Sequence, residues 1–144
     1  GERVGLEYFD DYVADLDIFL FRVIAQSHVP VFVFGHSMGG AIVTLDAIEH
    51  RPNVAGIILS GAALEPGVSG FKIGATNLTD AFAPSFDVFN VDLDKFSRDP
   101  AVVKAAREDP LVYQGAATAH MAYELIGGIQ RIDARMGDVK APLF

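Results

Sequence analysis

"VPVFVFGHSMGGAIVTL", residues 29–45, decides the fold. Val29 to Phe34 form an apolar run with no polar alternation, the pattern of a strand buried on both faces. Pro30 is tolerable at the first position of such a strand. A glycine-bounded turn follows, Gly35-His36-Ser37-Met38-Gly39, and small and apolar residues lead out of it into a helix expected over 38–49. Pro52 in "HRPN" cannot continue that helix. Residues 54–60, "VAGIILS", read as a second buried strand. Upstream, Phe9, Tyr12, Val13, Leu16, Phe19, Leu20, Val23 and Ile24 recur at helical spacing, which predicts an amphipathic helix over 7–26. Helix, strand, helix, strand is the order of an α/β protein, whose parallel strands need crossover helices of right-handed sense.

Composition narrows the function classes. The chain has 144 residues, 51% of them hydrophobic, with a mean hydropathy of +0.30. This excludes a disordered tail and suits the inner part of a larger domain. Net charge is −8 and Lys and Arg are scattered, which argues against nucleic-acid binding and against electrostatic attraction to an anionic membrane. The absence of cysteine removes disulfides, thiolate metal sites and cysteine nucleophiles. Asp10, Asp11, Asp15 and Asp17 lie largely off the apolar stripe of the first helix and read as a solvated face, not as metal ligands. The four histidines lack zinc-site spacing, so neither metal nor cofactor is expected. The run over 29–45 is short for a membrane span and holds His36, Ser37 and three glycines. The expected location is the cytoplasm.

Beyond Gly61 the texture changes. Residues 62–97 are rich in Gly, Ala, Ser, Pro and Phe. Phe71, Phe82, Phe86, Phe89 and Phe96 are expected to fill a local core in preference to lining a channel. "SRDPAVVKAAREDP" opens a helix, with Asp99 as N-cap and Pro100 at the first helical position. Asp87, Asp92, Asp94 and Asp109 read as loop acids and caps. A last helix is expected from about Thr118 to Met136, and "GDVKAPLF", residues 137–144, as a loop feeding a further strand.

The serine is expected to carry the chemistry, in preference to a glycine-rich turn that merely packs a helix on a strand. G-x-S-x-G alone is a common pattern, and what raises it is a buried strand before it and a helix after it. A nucleophile on so sharp a corner needs a strained backbone. Gly35 and Gly39 are expected to remove side chains that would clash, and Gly40 and Ala41 to let the helix approach the sheet. The Ser37 hydroxyl would then project above the carboxyl end of its strand, where open α/β sheets bind ligands. The helix N-terminus beyond it makes the Met38 N–H the first oxyanion donor. His36 is expected to point away from Ser37, His50 to cap the helix C-terminus, and His28 and His120 to serve no catalytic role. G-K-[ST] is absent, which argues against a phosphate loop.

"GHSMGG" after "VPVFVF", with "FDDYVADL" upstream, resembles the serine α/β-hydrolases of the monoacylglycerol lipase and lysophospholipase group, also called serine aminopeptidase S33-like hydrolases. "LDKFSRDPAVVKAAREDPLVY", residues 93–113, resembles their cap signature, and "TAHMAYELIGGIQRI", residues 118–132, the cap helix after it. The resemblance implies an α/β-hydrolase fold with a helical cap insertion. Residues 1–61 would be the central core with the elbow, 62–137 the cap, and 138–144 the start of the next core strand. It implies cofactor-free cleavage of small lipid esters through an acylated Ser37, with Met38 as backbone donor and transient contact of the cap with lipid surfaces. In the family the triad acid and histidine would follow Phe144 and the second oxyanion donor would precede Gly1. On that reading the chain is an internal fragment, truncated at both ends, with little turnover of its own. A thioesterase, an aminopeptidase, a perhydrolase and a non-catalytic protein that binds an apolar ligand stay open as alternatives.

Overall fold

The computed structural model describes residues 6–65, 83, 85, 87–89, 93–95 and 97–144. By internal contacts the chain divides into two units, one of residues 7–73 and 124–144, the other of 1–6 and 74–123.

The first unit holds the sheet. Helix α1 (Phe9–Gln26) leads to strand β1 (Phe32–His36), helix α2 (Met38–Glu49) and strand β2 (Gly56–Ser60). β1 and β2 run parallel, with Phe32 opposite Gly56 and His36 opposite Ser60. The chain end lies along the other side of β2. Ile57 N–H donates to the Pro142 carbonyl at 2.8 Å, and Phe144 N–H donates back to the Ile57 carbonyl at 2.9 Å, in parallel sense. β2 is therefore the central strand. Its chain-distant partner is the reason it tolerates so apolar a sequence as Gly-Ile-Ile-Leu-Ser.

One face of this sheet is covered. Leu20 of α1, Val33 of β1, Val43 and Ala47 of α2, and Ile57 of β2 form one buried cluster, with Leu16, Ile24, Val139 and Ala141 packed around it. α2 is buried along almost its whole length, from Gly40 to Ile48. The opposite face is open. Phe32 is 55% exposed and Phe34 63%. The expectation of a strand buried on both faces is thus corrected. Side chains alternate along a strand, so the positions that point away from α1 and α2 have no cover among the described residues.

Three boundaries also shift. β1 begins at Phe32, three residues after its apolar run opens, and ends at His36, two residues after that run closes. Val29 and Pro30 belong to the approach, where Ser27 and Val29 bond to each other. β2 begins at Gly56, because its pairing with β1 starts only at Phe32. In α1, Phe9, Val13 and Leu20 are buried as the stripe predicts, but Phe19 is 63% exposed.

Helix α4 (Ala119–Arg135) follows the short strand β4 (Ala117–Thr118) and spans both units by sequence. Its second half lies in the sheet unit. There Ile126, Ile129 and Ile132 are buried. The side chain of Glu124 accepts the Phe9 N–H at 2.8 Å, so the free N-terminus of α1 is capped by a residue 115 positions away in sequence. Gly128 makes room for the Phe9 ring, which a Cβ there would meet at 2.7 Å. Arg131 holds Asp10, and reaches Glu49 at 3.4 Å. Asp10 is thus an ion-pair partner of α4, while Asp11 has a local role and accepts the Tyr8 N–H at 3.3 Å.

The other unit holds strand β3 (Asp87–Phe89), paired antiparallel with β4, and helix α3 (Pro100–Glu108). Asp99 caps α3 as expected, accepting the Ala101 N–H at 2.9 Å, with Pro100 in the first turn. Asp94 pairs with Arg107 at 2.6 Å, and Asp109 accepts the Leu111 N–H at 2.8 Å. The side chains of Phe71, Phe82, Phe86, Phe89 and Phe96, and of Asp87 and Asp92, lie outside the described residues.

Candidate active site

The corner between β1 and α2 is one residue long. Ser37 stands at φ 52°, ψ −122°, a conformation that costs a residue with a Cβ about 1–3 kcal/mol. Three hydrogen bonds hold it there. Its N–H donates to the Ser60 carbonyl at 3.1 Å, and its carbonyl accepts the Gly40 N–H and the Ala63 N–H, each at 2.9 Å. The elbow is thus tied to the end of β2 as well as to α2. Ser37 is exposed, and its hydroxyl has no hydrogen-bond partner among the described residues. Met38 is the first residue of α2, so its N–H has no acceptor within the helix.

The glycines of the turn divide into two kinds. A Cβ on Gly35 would lie 2.7 Å from both the Gly39 carbonyl oxygen and the Gly40 Cα. Gly35 is therefore a position of true close approach. Gly40 is another, with a Cβ there only 2.4 Å from that of Ala62. Its bare face lets α2 start against the loop that follows β2. Gly39 differs: a Cβ there would meet nothing within 4 Å among the described residues. The expectation that Gly39 removes a clash is corrected, since it is Gly39's backbone that Gly35 must clear, and not its side-chain position that is crowded.

The histidines sort equally plainly. His36 Nδ1 lies 2.8 Å from the Ser60 carbonyl oxygen. A carbonyl only accepts, so Nδ1 carries the proton and the ring is pinned to β2, away from a role as base to Ser37. His50 ends α2, its N–H donating to the Asp46 carbonyl at 2.8 Å. His50 is thus the C-cap of α2 as expected, and its Nδ1 in addition lies 3.0 Å from Asp46 Oδ1. Asp46 is 1% exposed, and burial pushes its carboxyl above the ordinary range while His50 pulls it back. Asp17 joins these two, its carboxylate lying within 4.8 Å of both. It is half-buried, and this is where the reading of the α1 acids as a solvated face fails. Sequence reasoning missed the cluster because its members come from two helices, although the D-x-x-x-H spacing in α2 was a usable signal.

Parallel strands joined through a strained serine corner, with a helix N-terminus behind it, define the nucleophile-elbow core of an α/β-hydrolase. The family model "Serine aminopeptidase, S33" matches residues 1–144, and the chain belongs to that family. It is 36% identical to a monoacylglycerol lipase of Mycolicibacterium smegmatis, over all of this chain and 52% of that protein. It is 29% identical to the monoglyceride lipase of Rattus norvegicus, again over its whole length and 49% of the relative. The crystal structure of a Paleococcus ferrophilus monoacylglycerol lipase superimposes with a TM-score of 0.78 at 24% identity, covering 96% of this chain and 53% of that one. The chain spans about half the length of the curated relatives it matches.

Proposed function

We propose that the protein carrying this chain is a serine hydrolase that cleaves carboxylic esters of lipids, monoacylglycerols or lysophospholipids, through an acyl-serine intermediate. The observation that carries this reading is Ser37 held at φ 52° on the corner between β1 and α2. A strained, exposed hydroxyl over a helix N-terminus is otherwise a cost without return. The names of the relatives supply the substrate class, monoacylglycerol lipase in the bacterium and monoglyceride lipase in the rat.

In the proposed reaction Ser37 Oγ attacks the ester carbonyl carbon while a base takes the hydroxyl proton. Negative charge gathers on the former carbonyl oxygen, and the Met38 N–H donates to it. Collapse breaks the bond to the alcohol, which leaves with the proton. Water then attacks the acyl-enzyme by the same route and releases the fatty acid. His36 is held by Ser60 and His50 by Asp46; the base that the family resemblance implies is a histidine later in the parent protein, in the chain order Ser, acid, His. The 144 residues by themselves are then nearly inactive. By the family resemblance a helical cap shields the acyl chain. Exposed Val102 and Leu111 support transient contact of that region with lipid surfaces.

The test is labelling of the full-length protein with a fluorophosphonate probe, followed by location of the adduct. The expected adduct is on Ser37, and Ser37→Ala should abolish labelling and lower kcat on a monoacylglycerol by roughly three to six orders of magnitude. Labelling that survives Ser37→Ala overturns the assignment. An unlabelled parent protein that still binds fatty acid would mark it as a binding protein.

A further inference from the structure

Asp46 is difficult to explain by packing. It sits in α2 between Leu45 and Ala47, in a stretch buried from Val43 to Ile48, and it is itself almost inaccessible. One carboxylate oxygen meets His50 Nδ1 at 3.0 Å. The other, Oδ2, is buried and has no hydrogen-bond partner among the described residues. An orphaned buried acceptor is costly, more so when charged, and native structures rarely leave one without a reason.

The surroundings make the shortage of positive charge specific. Asp17 reaches in from α1, and Glu49 lies on the same turn of α2 as His50. The nearby arginines are engaged elsewhere. Arg131 pairs with Asp10 and Glu49, and Arg135 with Asp138 and Glu49. The charged groups that act on Asp46 among the described residues are thus two carboxylates and one imidazole.

We propose that Asp17, Asp46 and His50 form a binding site for a divalent transition-metal ion that clamps α1 to α2. Their donor atoms lie within 4.8 Å of one another. Donors sharing a tetrahedral ion at about 2.0–2.2 Å stand roughly 3.3–3.6 Å apart, so Asp17 has to close by about an ångström. Two carboxylate oxygens and one imidazole nitrogen form a mixed set that zinc and manganese accept, and it leaves a position for water. His50 is exposed on one side, which provides an entry path. On binding, His50 Nδ1 exchanges its contact with Asp46 for the metal. The neutral ring then carries its single proton on the outer Nε2, and an imidazolium releases one proton to solvent.

The role is structural. Ser37 precedes the first residue of α2 and His50 follows the last, and the 12 residues between them extend about 18 Å. An ion at one end does not touch an ester at the other, so this site stands or falls independently of the hydrolase reading.

Full-length protein stripped with a chelator and titrated with zinc chloride by calorimetry tests it. The expected result is one ion per chain and a rise in thermal midpoint. His50→Gln and Asp17→Asn, both at partly accessible positions, should fold as the parent does, weaken binding at least about tenfold, and erase the thermal shift. Asp46→Asn should do the same through the buried ligand. Fluorophosphonate labelling of Ser37 should be unaffected by His50→Gln. No zinc binding by the parent, or binding undiminished in His50→Gln, overturns the proposal.

Discussion

Ser37 and Gly35 are the residues on which the corner depends, and they do so for opposite reasons. Ser37 accepts a backbone conformation that its Cβ disfavours, held by hydrogen bonds to Ser60, Gly40 and Ala63. Gly35 has an ordinary conformation but no room, with the Gly39 carbonyl oxygen 2.7 Å from where its Cβ would stand. Gly35→Ala should therefore destabilise the full-length protein by about 1–3 kcal/mol through overpacking. Gly39→Ala adds a methyl into open space, and should leave stability unchanged or raise it by up to about 1 kcal/mol, the difference in helix propensity. Urea denaturation of the two variants distinguishes them, and equal losses would contradict the asymmetry. The five-residue pattern was legible in the sequence, but the division of labour between its glycines was not. Which glycine faces a neighbour depends on how α2 lies against β1, and both read alike as letters.

At the scale of elements, α2 shows what local chemistry can and cannot announce. Its end was legible: Pro52 stops it, and the helix closes at Glu49. Arg51, the residue that turns the chain away, was not. It sits at φ 54°, its N–H bonding back to the Asp46 carbonyl at 3.3 Å, the left-handed position that glycine usually fills after a helix. A left-handed residue with a Cβ costs about 1–2 kcal/mol, offset in part by the chain entropy that glycine loses. Arg51→Gly should accordingly stabilise the full-length protein by about 0.5–1 kcal/mol, read as a higher denaturation midpoint. A lower midpoint would mean that the Arg51 side chain contributes more than its backbone costs. Helix α3 lies at the legible extreme, since Asp99 and Pro100 are neighbours in sequence and in the cap. The N-terminus of α1 lies at the other, because Glu124 caps it from α4.

At the scale of the whole chain, the sheet unit has one finished face and one unfinished one. α1 and α2 cover Val33 and Ile57, while Phe32, Phe34 and Ile58 stay exposed on the reverse side. Among the described residues no strand pairs with the outer edge of β1. Relatives of about twice the length have the material to complete both. The 144 residues expressed by themselves should self-associate, because an apolar face beside an open strand edge is a template for pairing. Sedimentation velocity across a concentration series should show mass growing with concentration, and Phe32→Ser with Phe34→Ser should reduce it. A monomer at every concentration would mean that the face is covered by other residues of this chain. Among the described residues no helix is long and apolar enough to cross a membrane.

The sequence by itself determined the α/β order, the elbow with Ser37 at its tip, and the start of α3. Each of these is written in neighbours: a run, a turn, a cap. The tertiary structure alone decided which face of β1 is covered, which glycine is crowded, that β2 is central, and that Asp17 meets Asp46 and His50. Those depend on residues far apart in the chain, and side-chain periodicity specifies a face without specifying what lies against it.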